Sequence, residues 1–223
     1  MNKSLPKLVV PLPISLDPLK LSTEALGLVA GAKSAAEGLD RLLAAKLTED
    51  AIRLVSHTLP KREAVWWCCM CARSVPAPLQ EVVDLEALQA AEAWVRRPSE
   101  EARRACMTLA QKTKFNSPEI WAAVGAFWTS GSMGPESAPA IPVPEHFTGL
   151  AVHGGVMLAS VRLRPENAMA RLGRFLTSAQ EIAGGGAGVG DDAGEDGVAE
   201  EALVLLELAG VDVGLARVAG RVD

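Results

Sequence analysis

The chain of 223 residues has no tyrosine, only three histidines and four cysteines, and aromatic side chains make up 4% of it. Each shortage excludes something. Three of the four cysteines crowd together at Cys68, Cys69 and Cys71, which is not the spaced framework of a disulfide-stapled domain. The histidines form no H-E-x-x-H, and no serine sits in G-x-S-x-G, so neither a zinc-peptidase helix nor a nucleophile elbow is present. The longest weakly polar run, 149–161, contains His153 and is shorter than the roughly 20 residues of a membrane span. Leu8-Val9-Val10 is cut off by Pro11 and Pro13 and is too short for the apolar region of a signal peptide. A soluble, cytoplasmic protein without membrane contact is expected. Strand-favouring aromatic residues are scarce while Ala and Leu abound, which points to an all-α fold.

What is present is unevenly placed. The formal net charge is −5, but residues 1–180 carry +3 and residues 181–223 carry −8. The only dense basic group, Arg96, Arg97, Arg103 and Arg104, is interrupted by Glu100 and Glu101, so no nucleic-acid face is expected. Residues 1–22 hold Pro6, Pro11, Pro13 and Pro18 and read as an extended apolar arm. From Thr23 the periodicity predicts nine helices at about 23–33, 35–46, 48–58, 60–75, 84–96, 99–113, 118–130, 144–163 and 165–182. Pro60, Pro118, Pro144 and Pro165 stand where first helical residues belong. Ser99, Ser117 and Thr48 are the expected N-caps. Short connections favour eight or nine helices stacked as antiparallel hairpins in one domain over 23–183. A Gly- and Asp-rich linker at 184–197, a short amphipathic helix at 198–209 and a tail to 223 follow.

The unusual chemistry is concentrated in Lys61–Arg73. Cys68 and Cys71 formally make C-x-x-C, but in mid-helix, whereas a thioredoxin-type site needs the motif at a helix start. With Cys106 they could serve a redox or metal-binding protein; burial as small apolar side chains is the plainer reading. Adjacent Trp66 and Trp67 point about 100° apart, so one belongs in the core and the other at a seam or surface. Lys61 and Arg62 lie at the positive end of a helix dipole and need either an ion pair within the fold or an anionic partner. Lys61, Arg62, Glu63, Trp66 and Arg73 are therefore the candidate partner-binding residues. No catalytic residue, metal ligand set or cofactor site is assigned. The alternative is an enzyme whose site assembles from Arg62, Glu63 and His57. His153 precedes Gly154-Gly155 inside a helix, where two glycines suggest close helix packing or a kink.

Leu59–Trp67 with Cys71–Arg73 forms a Leu-Pro-Lys-Arg-Glu-Ala-Val-Trp-Trp run ending in Cys-Ala-Arg. Ala91–Val95, Pro118–Trp121 and Phe127–Ser132 add weaker segments. On these the chain resembles, over about 48–183, an uncharacterised bacterial family of helical proteins often encoded near type VI secretion genes. The resemblance implies an accessory role in that system; together with the lack of a catalytic constellation in the sequence, it leads to the expectation of a non-catalytic adaptor or accessory protein that binds another protein, a secretion component. It brings no catalytic residue with it.

Overall fold

The computed structural model describes residues 5–8, 12, 16–77 and 82–188. Nine α-helices occur among them: α1 (Thr23–Val29), α2 (Ala35–Ala44), α3 (Thr48–Thr58), α4 (Lys61–Ser74), α5 (Val82–Arg96), α6 (Glu100–Ala110), α7 (Pro118–Phe127), α8 (Phe147–Val161) and α9 (Ala168–Ala183). The described residues contain no strand, only an isolated antiparallel bridge between Ser132 and Pro142. The fold is all-α. The expected amphipathic segment beyond 198 lies outside the described residues, as does the linker from 189.

Local chemistry sets the helix starts. Ser22, Ser34, Ser99 and Ser117 each accept a hydrogen bond from the backbone N–H three residues on, satisfying a donor that has no partner within the helix. Pro118 is the first residue of α7, as its fixed φ and missing N–H favour. The other prolines act differently. Pro60 is the residue before α4, at ψ 139°. Pro144 precedes α8 by a turn in which its carbonyl accepts from Phe147. Pro165 opens a short 3-10 turn, and α9 follows it. Thr48 is not a cap: Leu47 holds that position with no side-chain bond, and Thr48 is already helical.

Consecutive helices pack together through most of the chain, but the arrangement is more than a row of hairpins. α7 and α8 lie along each other, both rest on α4, and α8 also meets α3 and α9. α7 is buried on every side except at Trp121, as expected for a helix apolar almost all round. Its one charge, Glu119, is fully buried and held by the Arg162 guanidinium at 2.8 and 2.5 Å. α8 reaches its neighbours through glycine. A Cβ on Gly155 would stand 2.5 Å from Cys68 Sγ, and one on Gly149 would stand 2.6 Å from the His57 ring. Close packing is thus the reason for glycine at 155, whereas Gly154 has ordinary space beside Trp121.

The N-terminal arm is not uniformly extended. Pro6–Leu8 and Asp17–Leu19 form 3-10 turns, the second with proline early in the turn. Leu5, Leu8, Leu19 and Leu21 are buried in the core. The described apolar side chains of the arm pack against the protein's own helical core.

Candidate functional site

The first turn of α4 resolves the charge problem posed by Lys61 and Arg62 without an ion pair. Lys61 Nζ donates to the carbonyl of Thr129 at 3.0 Å, just past the end of α7. Arg62 Nε donates to the carbonyl of Val95 at 2.6 Å, in the last turn of α5. Each cation sits at the negative end of another helix, where it satisfies a carbonyl lacking an intrahelical partner. Glu63 pairs with Lys7 of the arm at 3.1 Å. Three neighbouring residues thus fasten three different parts of the chain to α4.

The rest of the block is also engaged. Trp67 is fully buried and donates from its indole to the carbonyl of Phe175 at 2.8 Å. Trp66 is half-buried and donates to the carbonyl of Ala187 at 2.7 Å, tying down the chain after α9. Arg73 grips Glu92 through two bonds of 2.5 and 2.9 Å. Lys61 and Arg73 stand at opposite ends of α4, about 18 Å apart at 1.5 Å per residue, so the five candidate residues do not make one patch.

Arg62, Glu63 and His57 are not brought together either. Arg62 faces α5 and Glu63 faces the arm. His57, on α3, donates from Nδ1 to the carbonyl of Arg53 at 2.9 Å and lies against Gly149 of α8. The four cysteines are buried and none forms a disulfide. Burial pushes Cys106 up to about 12 and raises Cys68 and Cys69 as well, so these thiols stay protonated. Among the described residues no group of three or more His, Cys, Asp or Glu side chains is placed to hold a metal.

Two features were not read from the sequence. The first is a meeting of all three histidines. A polar cleft of about 230 Å³ opens between the end of α3 and the start of α8, with His57, Lys61, Glu145 and His146 in its wall. His153 lies farther along the same α3–α8 seam, within electrostatic reach of His57 and Arg53. Nε2 of His57 and of His153 are both buried without a hydrogen-bond partner. Burial is the main cause that lowers both pKa values, His153 to about 4, with the charge of Arg53 adding to it. The signal was the spacing of seven between His146 and His153, which places both on one helical face.

The second feature is a ladder of rings. Phe115 meets Trp121 edge-on at 6.4 Å, Trp121 meets Trp128 at 6.4 Å, Trp128 meets Phe147 at 5.0 Å, and His146 caps the row at 5.0 Å. Four of the nine aromatic side chains therefore line one partly exposed stripe over α7 and the start of α8. Leu150, one turn after Phe147, is 45% exposed. The face shared by Trp121 and Trp128 is legible from their spacing; its continuation to Phe115 and Phe147 depends on the loops.

The central helices, with the α4 block clamped among them, define an all-helical domain. Residues 38–183 match the model of a family described as "Family of unknown function (DUF6931)", and the chain belongs to that family. No curated protein and no solved structure matches it.

Proposed function

We propose that this protein is a non-catalytic protein-binding adaptor, an accessory of a bacterial type VI secretion apparatus that works in the cytoplasm. The observation that carries the binding role is the partly exposed aromatic ladder. Rigid, amphipathic rings with little side-chain entropy to lose are the side chains that dominate protein interfaces. The site is therefore placed on Phe115, Trp121, Trp128, Phe147 and Leu150 rather than on the α4 block, whose side chains are committed within the fold. The secretion assignment is supported by the resemblance of the Leu59–Arg73 run. No described helix is long and apolar enough to cross a membrane, which is compatible with a cytoplasmic place of action.

Affinity capture from the host of origin tests this reading. The intact protein should recover a secretion component. The pair Phe115→Ala with Leu150→Ala, both exposed, should weaken that recovery at least about tenfold while leaving the thermal midpoint nearly unchanged. Capture of no secretion component, or capture indifferent to the ladder, would refute it.

A further inference from the structure

The chain does not leave the body when α9 ends. Gly185 and Gly188 adopt φ of 97° and 94°, a left-handed conformation that glycine enters without steric cost. Trp66 holds Ala187 by its carbonyl. A Cβ on Gly188 would stand 3.0 Å from Ser178 Oγ and 3.3 Å from the Ile182 side chain. By Gly188 the backbone has doubled back over α9.

Ser178 is also part of the wall of a groove of about 140 Å³ between α4 and α9, with Met70, Cys71, Phe175 and Thr177. The serine is 7% exposed, and its Oγ has no hydrogen-bond partner. The groove has room for a branched aliphatic side chain.

The sequence that follows supplies one. Spacing places Val198, Ala202, Leu205 and Ala209 on one side of a potential helix, with Glu200, Glu201 and Glu207 elsewhere. A helix this short is marginal alone and needs an apolar surface. An extended chain from Gly188 to Val198 reaches up to about 33 Å, and so short a tether gives an effective concentration of about millimolar. The −8 of residues 181–223 against the +3 of the preceding chain favours contact with the body.

We propose that the α4–α9 groove is the docking site of the chain's own residues 198–209, with Leu205 entering between Met70 and Phe175. This inference is independent of the partner face, which lies over α7 and α8. Disulfide trapping in the full chain tests it. Thr177→Cys combined with Leu205→Cys, diluted under mild oxidant, should close a link within one chain. Closure should be about tenfold faster than for Thr177→Cys with Glu207→Cys, whose second position points away. The native thiols are buried and react slowly; a Leu205→Cys link to Cys71 would report the same docking. Linked peptides are identified by mass spectrometry. Equal rates for the two pairs, no closure, or links formed only between two chains would overturn the proposal, the last by placing a second copy in the groove.

Discussion

At the scale of single residues, the tightest constraint is Gly155. Its missing Cβ leaves room for Cys68 Sγ at 2.5 Å and for Trp121 Cβ at 3.2 Å. Gly155→Ala gains about 1 kcal/mol of helix propensity but drives a methyl into a filled seam, and overpacking of this kind costs about 1–3 kcal/mol. A net loss of about 1 kcal/mol is expected in urea unfolding. Removing Cys68 Sγ makes room, so Gly155→Ala with Cys68→Ala should be more stable than the sum of the two single changes by about 1 kcal/mol. Strict additivity would show that the two do not share the seam. The same residues show what was legible and what was not. The two adjacent glycines signalled close approach, yet only one of them makes it. The other faces Trp121 at an ordinary 3.8 Å. Likewise the adjacent Trp66 and Trp67 had to divide between core and seam, but the carbonyls they bind, on Ala187 and Phe175, lie more than a hundred residues away. No local pattern encodes such pairs.

At the scale of elements, the α3–α8 seam is the part most sensitive to acid. His57 and His153 lie there with both Nε2 atoms unpartnered, and Arg53 adds a like charge. Their folded pKa values are depressed below 6.5, that of His153 to about 4. In the unfolded chain they take protons at the ordinary value, so below it the unfolded state binds more protons than the folded state. Stability is therefore full above about pH 6.5 and falls as the pH drops towards about 4. His153 alone should cost about 2 kcal/mol between about pH 7 and pH 5. Glu100, which hydrogen bonding to Arg103 holds down to about 2, adds a further loss only below the ordinary carboxylate value of 4.5. The urea midpoint should shift accordingly, and His153→Leu should remove much of the shift above about pH 5. An undiminished shift in that variant would assign the effect to other groups. Helix existence was legible where the apolar period and a serine cap agree, as in α6 and α7. Ends were less so. Proline excludes a donor but does not fix which residue turns helical first, as Pro144 and Pro165 show. The convergence of the histidines escaped the sequence because it is made by α3 and α8, which are distant in the chain.

At the scale of the whole molecule, the family region and the folding unit differ in extent. The match begins at Gly38, inside α2, and leaves out the arm and α1. Yet Leu8, Leu19, Ala25 and Val29 are almost completely buried, and the Val29 side chain lies 3.6 Å from where a Cβ on Gly38 would be. Burying a Val or Leu side chain is worth about 1.5–3 kcal/mol, and the Lys7–Glu63 pair at the surface adds little. Losing Leu8, Leu19, Leu21 and Val29 together would remove an amount comparable to the roughly 5–15 kcal/mol by which a domain is stable. A fragment of residues 38–183 should therefore keep much of its helical circular dichroism but lose cooperative thermal unfolding and bind a hydrophobic dye. Restoring residues 1–37 should bring back a sharp transition. If the fragment instead unfolds as cooperatively and at the same temperature as the full chain, the arm is an accessory layer, and the core closes without it.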